Sequence, residues 1–166
     1  MRCSNRVTQA FLYNGSTYTT FNQPGASYTE FNAIDGNNIV GISSLGSFLY
    51  NDGTYTLLPL VEGEYTPYAY GISGNYIVGD YQNGNFAQAF LYNISSETYT
   101  TLNIPGAVIS AARGIDGNNI VGIYEPTYGS YGFLATPVPE PSIFGLLLLG
   151  AGAFFYRRRL AANRRI

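Results

Sequence analysis

The sequence predicts an all-β protein made of repeated four-stranded units, followed by one C-terminal hydrophobic α-helix. Composition is the first observation, because 16 Tyr, 10 Phe and 20 Gly favour short strands and tight turns. The second is a pattern of strand-like and turn-like segments that occurs three times in register between residues 10 and 131. The third is that residues 7–137 show no convincing 3.6-residue period of apolar side chains, which an amphipathic helix requires.

Four phenylalanines mark the starts of successive units. Phe11, Phe48, Phe90 and Phe133 are separated by 37, 42 and 43 residues, and most of the variation falls between units, as expected for surface connections. The predicted division is a lead-in at 1–9, a β-repeat domain at 10–136 and a C-terminal segment at 137–166. Within the domain the repeats are 10–46, 47–88 and 89–131, with a final strand at 132–136.

Each unit contains two predicted hairpins, which the first copy illustrates. A Phe-Leu-Tyr strand and a Thr-Tyr-Thr strand flank a turn at Asn14-Gly15, where both residues accept a positive φ. Pro24-Gly25 then interrupts the pattern. A second pair of strands, ending in Ile-Val-Gly, flanks a turn at Gly36-Asn37. Four strands per unit follow from this order.

The architecture of the repeats has two possible forms in sequence. Four strands in about 40 residues are typical of a propeller blade, whereas side-by-side stacking of twisted sheets is the competing arrangement. Three units and a fraction are few for a closed propeller, which has at least about four blades. The last strand could complete a broken blade, so the sequence does not decide whether the repeats close into a ring. Stacked sheets are favoured.

The repeats resemble a bacterial extracellular family known as HAF repeats. Their units are similar to "AFLYNGSTYTTFNQPGA" at Ala10–Ala26 and "RGIDGNNIVGI" at Arg113–Ile123. The resemblance covers residues 10–135. It implies an exported protein with no established catalytic chemistry.

Charge is distributed very unevenly along the chain. Residues 7–141 contain ten acidic residues and one arginine, a net charge of −9, whereas residues 142–166 contain five arginines and no acid. A −9 body argues against nucleic acid as a partner, because phosphate binding needs a basic face. With no His and with Cys3 as the only cysteine, the usual zinc, haem and iron–sulfur sites and the Ser-His and Cys-His catalytic arrangements are excluded. We therefore expect no cofactor and no enzymatic activity.

Three groups of side chains are candidates for binding or catalysis. The turns at 35–38 and 116–119 offer oxygen ligands for Ca²⁺, but EF-hand spacing is absent and the equivalent turn at 73–76 starts with serine, which favours a simple turn. Glu62 and Glu64 form the closest carboxylate pair, but the other repeats have no counterpart, which argues against glycoside hydrolysis.

Repeated tyrosines are the third candidate. They occupy two fixed positions in the units, Tyr13, Tyr50 and Tyr92 at one and Tyr18, Tyr55 and Tyr99 at the other. Exposed tyrosines could stack on sugar rings. Repetition at fixed positions instead favours core or cross-strand pairs, because a shared core requires the same residue in every unit.

The C-terminal segment combines an apolar stretch with a basic cluster. Residues 143–156 are uncharged and as a helix would span about 21 Å, against a hydrocarbon core of about 30 Å. They have no polar stripe, which favours a membrane helix over an amphipathic one. The apolar residues on which this prediction rests are Ile143, Leu147, Leu149, Phe154 and Phe155. The arginines predicted to stop insertion, and to snorkel towards the interface, are Arg157, Arg158 and Arg159.

This order resembles the PEP-CTERM sorting signal of Gram-negative bacteria. Val138, Pro139, Glu140 and Pro141 match its motif, residues 143–156 its helix and residues 157–159 its basic cluster. The resemblance implies processing by an exosortase, a membrane protease, and export linked to exopolysaccharide. It also implies an inner-membrane anchor during sorting and a final place at the cell surface or outside the cell.

One expected feature of such proteins is not visible at the other end. "MRCSNRVTQAFLYNG" has no apolar core of a signal peptide. Either the start lies upstream, or the chain is a fragment, or the tail alone inserts the protein. The predicted function is that of an exported, non-enzymatic β-repeat protein. The alternative is an exopolysaccharide-binding module that uses the repeated tyrosines.

Overall fold

The structure is a computed structural model that describes residues 8–84 and 86–136. The strands of these residues are β1 Ala10–Tyr13, β2 Tyr18–Phe21, β3 Thr29–Asp35, β4 Asn38–Ser43, β5 Gly46–Asn51, β6 Thr54–Leu57, β7 Pro67–Ser73, β8 Tyr76–Asn83, β9 Phe86–Asn93, β10 Thr98–Thr101, β11 Ile109–Asp116, β12 Asn119–Glu125 and β13 Tyr131–Ala135. The described residues are thus all-β, as predicted. The predicted C-terminal helix lies outside them.

The strands form four antiparallel sheets, each an up-and-down meander. The first sheet contains β1 and β2, the second β3 to β6, the third β7 to β10, and the fourth β11 to β13. Neighbours in each sheet are neighbours in sequence, so the pairing is local throughout. Within the described residues the sheets close neither into a barrel nor into a propeller.

Tight turns join the strands where the sequence places Gly beside Asn or Asp. Gly36 has φ +57° between β3 and β4, and Gly74 and Gly117 have φ +53° and +55° at the equivalent turns. Between β5 and β6, Asp52 and Gly53 have φ +43° and +87°, the two positive angles of a type I′ turn. The predicted hairpins are confirmed.

Sheet boundaries are offset from the sequence repeats by two strands. The second sheet starts with β3 and ends with β6, so it joins the second half of one repeat to the first half of the next. The reason is the length of the connections. The Ile-Val-Gly strand β4 runs directly into the Phe-Leu-Tyr strand β5 and pairs Gly41 with Phe48. A longer Pro-containing loop separates β6 from β7.

A β-bulge recurs at the same place in three sheets. Register shifts fall between Phe31 and Ala33 in β3 and between Ala69 and Gly71 in β7, and a third falls at the equivalent point of β11. The extra residues are Asn32, Tyr70 and Arg113. A bulge bends its strand and increases the local twist, and here it lies in the first strand of the second, third and fourth sheets.

Hydrophobic cores lie between consecutive sheets. β7 packs across β3, β4 and β5, and β11 packs across β7, β8 and β9. The core between the second and third sheets contains Val40, Ala69 and Phe90, whereas Val78 and Ala112 belong to the core between the third and fourth. Side chains alternate along β8, so Ile77 faces one core and Val78 the other.

Candidate functional site

Paired tyrosines lie directly opposite each other across each Phe-Leu-Tyr and Thr-Tyr-Thr hairpin. Their ring centroids are 4.6 Å apart for Tyr13 and Tyr18, 4.8 Å for Tyr50 and Tyr55, and 4.5 Å for Tyr92 and Tyr99. The phenylalanine that starts each unit adds a third ring at 5.1–5.5 Å from the second tyrosine. The prediction of cross-strand pairs is confirmed in all three repeats.

Burial of these aromatic groups differs sharply between repeats. Phe48 and Phe90 are completely buried. In the first sheet Phe11 is 61% exposed and Tyr18 70% exposed. The cause is the stacking order, since the aromatic face of each later sheet meets the preceding sheet, as Tyr50 meets Phe21 at 5.4 Å. The face of Phe11, Tyr13 and Tyr18 points away from the second sheet.

The tyrosines of the third sheet are part of the core. The Tyr99 hydroxyl donates a hydrogen bond of 2.8 Å to the carbonyl of Pro59 in the loop after β6. Burial, and secondarily the neighbouring Tyr92, raise the pKa of Tyr99 above its ordinary value of 10.0. Tyr92 is buried and Tyr99 half-buried, so among the three repeated tyrosine pairs the one in the first sheet offers the most exposed face for stacking on a sugar ring.

Of the two aspartates considered for Ca²⁺, Asp35 is engaged in a contact between sheets, whereas Asp116 is exposed. A carboxylate oxygen of Asp35 accepts the amide of Gly74 in the next sheet, and the hydroxyl of Ser73 accepts the amide of Gly117 at 3.0 Å. The same contact therefore links successive turns through different side chains, which confirms a structural turn at these positions. Among the described residues, no group of three acidic, His or Cys side chains could hold a metal ion.

The third and fourth sheets share a polar cluster that sequence reasoning missed. Asp80 on β8 is 7% exposed and lies near Tyr70 on β7 and Arg113 on β11. The Arg113 guanidinium stands 4.3 Å from the centre of the Tyr70 ring, a cation–π contact between two bulge residues. The Oδ1 atom of Asp80 is buried without a hydrogen-bond partner.

Electrostatics at this cluster are dominated by burial. Burial raises the pKa of the Asp80 carboxyl above its ordinary value of 3.8, while the Tyr70 hydroxyl and the Arg113 charge act in the opposite direction. Burial is also the main reason why the pKa of Tyr70 is raised. The sequence contains one sign of this cluster. The charged residue Asp80 occupies the position where the other repeats have the apolar residues Ile42 and Ile123.

A cavity of about 240 Å³ opens between the second sheet and the start of β7. Tyr28 and Tyr68 line it together with Ser43 and Ser44, and the two tyrosines are 37% and 36% exposed. The Ser44 hydroxyl accepts the amide of Ser27 at 2.8 Å, which leaves its own hydrogen available. The cavity thus offers aromatic faces and hydroxyl groups to a small polar ligand.

The carboxylate pair considered for glycoside hydrolysis lies on the surface. Glu62 and Glu64 are both exposed in the turn that the Val61–Tyr65 bridge closes, and Glu62 has φ +53°. Glycoside hydrolysis needs two carboxyl groups that flank the scissile bond of a bound sugar chain, which a substrate cleft provides. The pair lies in a solvent-exposed turn that offers no such site.

Every predicted sorting residue lies outside the described residues. These are Val138, Pro139, Glu140 and Pro141, the apolar positions Ile143, Leu147, Leu149, Phe154 and Phe155, and Arg157, Arg158 and Arg159. In the part of the chain that the structure describes, no helix is both long and apolar enough to span a bilayer. Contacts divide the chain at Thr136, so the described residues all belong to the unit Met1–Thr136.

Comparison with known proteins bears on the C-terminal unit. No curated protein and no solved structure matches the chain, and no family match confirms the resemblance of the body to HAF repeats. The model of the PEP-CTERM protein-sorting motif matches residues 137–165. The C-terminal segment therefore carries a PEP-CTERM protein-sorting motif, which indicates an exported protein sorted by an exosortase.

Proposed function

We propose that this chain is a non-enzymatic β-repeat protein that an exosortase-type enzyme processes at its C-terminal motif and that stays at the cell surface or in the extracellular matrix. The PEP-CTERM motif at residues 137–165 carries the proposal. Position supports it as well, since β13 ends at Ala135 and the motif follows at once. Cleavage at the motif would leave all described strands intact.

The chemistry of the body supports a non-enzymatic role. The chain has no histidine, and its one cysteine lies at position 3, so the common nucleophile–base pairs cannot be assembled. The one buried carboxylate among the described residues, Asp80, lies beside Tyr70 of the third sheet and Arg113 of the fourth. The body is therefore proposed to act as a binding or structural element.

Processing is tested by intact-mass measurement in a host that contains an exosortase, with the native upstream sequence or a supplied signal peptide. We expect a mature product that lacks the arginine tail. Replacing Pro139, Glu140 and Pro141 by alanine should prevent processing, whereas Pro126→Ala, outside the motif, should leave it unchanged. A full-length product still ending in Ile166 and recovered from the extracellular matrix would contradict the proposal.

A second candidate function is the binding of extracellular polysaccharide. Two observations favour it: the exposed ring pair of Tyr13 and Tyr18, and the cavity between Tyr28 and Tyr68. A tyrosine presents a flat apolar face and a hydroxyl, which suits a sugar ring. A glycan array probed with the full chain tests this. Tyr18→Ala should remove binding at the exposed ring pair, and Tyr68→Ala should remove binding at the cavity.

A further inference from the structure

The two ends of the sheet stack expose faces that are buried at every interface inside it. At one end, the first sheet presents Phe11, Tyr13 and Tyr18 to solvent. At the other end, the fourth sheet presents Val121, which is 49% exposed, and Leu134, which is 65% exposed. All five side chains are uncharged, and on each sheet they share one face.

Inside the stack, the equivalents of these two faces pack against each other. Val40 and Val78 occupy the position of Val121 and are completely buried. Val40 and Leu49 of the second sheet lie in one core with Phe90, Tyr92 and Tyr99 of the third. The aliphatic face of one sheet therefore meets the aromatic face of the next.

The following interface repeats the arrangement. Val78 and Leu91 of the third sheet share a core with Phe133 and Ala112 of the fourth. Phe133 is the equivalent of Phe11, and Leu91 is the equivalent of Leu134. The exposed aliphatic face and the exposed aromatic face are thus the two unpaired halves of an interface that the protein forms twice within itself.

We propose that copies of this protein associate head to tail, with the Val121/Leu134 face of one copy packing on the Phe11/Tyr13/Tyr18 face of the next. The argument is continuity, since each contact would repeat the internal contact between consecutive sheets. Such an interface is heterologous, because different surfaces meet, so each added copy exposes a fresh face of each kind. Repeat proteins normally cover their end units with polar caps, whereas here the exposed large side chains on each end face are apolar or aromatic.

A second copy fits the aromatic face better than a polysaccharide does, because the equivalent rings in the third sheet pack against protein. β1 and β2 supply the aromatic part of the interface, whereas inside the stack β7 and β11 contribute as well. The contact between copies is therefore smaller than the internal one. Weak, concentration-dependent association is expected. This inference does not depend on exosortase processing, and each is tested separately.

Charge gives the association a characteristic salt dependence. The body from residue 7 to residue 141 carries −9, so copies repel each other at low ionic strength. Added salt screens this repulsion and also favours apolar burial. Association should therefore strengthen as the salt concentration rises, which is the opposite of what an interface held by ion pairs would show.

The test is sedimentation velocity on the full chain, in a fixed concentration of mild detergent so that the apolar tail stays dispersed. The wild-type protein should grow beyond a dimer as its concentration rises from about 5 μM to about 500 μM, the range of small interfaces. Tyr18→Glu blocks the aromatic face and Leu134→Glu blocks the aliphatic face, both at exposed positions. Leu60→Glu, in a loop at 48% exposure, is the matched control and should associate like wild type.

Mixing the two blocked variants distinguishes head-to-tail association from other modes. Each variant alone should be monomeric, and an equimolar mixture should form a 1:1 dimer and nothing larger, because only one intact pair of faces remains. Phe11→Ser and Val121→Ser repeat the test at second positions in case a first variant does not fold. The proposal is wrong if the mass of the wild-type protein does not change with concentration. That result is expected if terminal segments of the same chain cover the two faces. Association retained by either single variant overturns the proposal too.

Discussion

The ring of Phe90 lies over Gly79, with its Cζ atom 2.9 Å from the point where a Cβ on that glycine would stand. The carbonyl oxygen of Tyr68, next to the bulge of β7, lies 1.9 Å from the same point. Gly41 with Phe48 and Gly122 with Phe133 repeat the arrangement. In each Ile-Val-Gly strand, a residue larger than glycine would therefore collide with a backbone carbonyl near the bulge and with the phenylalanine ring of the next strand.

Gly79→Ala should lower the free energy of unfolding by about 1–3 kcal/mol, because backbone atoms must move to admit the methyl group. Gly79→Val should cost at least as much. The matched control is Gly132→Ala, where the nearest atom is 3.7 Å from a Cβ, and its effect should stay within about 0.5 kcal/mol. Urea melts of the three variants measure this. An unchanged midpoint for Gly79→Val would show the inferred clash to be wrong.

A buried serine links the second sheet to the third, and another serine links the third sheet to the fourth from a different strand position. Between the second and third sheets, Ser47 on β5 donates to the carbonyl of Pro67 at 2.8 Å and accepts the amide of Ala69 at 3.0 Å. Between the third and fourth, the position of Ser47 is Ala89, whose amide donates to Ser110 at 3.0 Å. Ser110 occupies the position of Pro67.

Ser47→Ala should destabilise the protein by about 1–3 kcal/mol, because it removes two buried hydrogen bonds from their backbone partners. Adding Pro67→Ser should recover part of this loss, since it recreates the Ala89–Ser110 arrangement. Ser96→Ala removes a hydroxyl at the surface and should change stability by less than about 0.5 kcal/mol. Thermal or chemical melts compare them. No recovery in the double variant would mean that the two interfaces are not interchangeable.

Asp80 should make stability depend on pH in a definite direction. Burial raises the pKa of its carboxyl above 3.8, so the folded state favours the protonated form. Its contribution to stability is fully present below the unfolded pKa and is lost as pH rises through the folded pKa. Asp80→Asn cannot ionise and should be more stable than wild type at neutral pH. The difference in free energy of unfolding should shrink as pH falls towards 3.8.

Urea melts of the wild type and Asp80→Asn across this pH range provide the measurement. Asp80→Ile, which installs the residue of the other two repeats, is a second variant without this titration. For each variant, the difference in free energy of unfolding from the wild type should become smaller as the pH falls. A difference that stays constant from neutral to acid pH would show that ionisation of Asp80 does not oppose folding.

Local features of the fold were predictable from sequence because they depend on neighbouring residues. The turn at Gly36-Asn37 and the facing of Tyr50 and Tyr55 follow from short-range patterns of strands and turns. The offset between the sheets and the sequence repeats was not predictable. It depends on whether the β3–β4 hairpin, which contains Gly41, pairs with the hairpin before it or with the hairpin after it. A bulge at Tyr70 leaves no sequence signature of its own, so its meeting with Arg113, 43 residues later, could not be foreseen.

Orientation of the C-terminal segment is the last prediction, and it follows from the charge of the tail. Placing an arginine at the bilayer centre costs about 2.5–3.5 kcal/mol on insertion scales, so Arg157–Arg159 should stay on the cytoplasmic side. The −9 body then lies on the outer side, where a protease can reach Pro139-Glu140-Pro141. Leu147→Arg should block insertion, whereas Leu160→Arg, beyond the basic cluster, should not.

Protease protection in vesicles of both orientations measures this directly, before any processing removes the tail. The body should be digested in right-side-out vesicles and protected in inverted ones. Membrane extraction with carbonate separates failure to insert from insertion in the wrong direction, because Leu147→Arg should become extractable and the wild type should not. If the body is protected in right-side-out vesicles, it is cytoplasmic, and export fails as an explanation even though the motif at 137–165 is present.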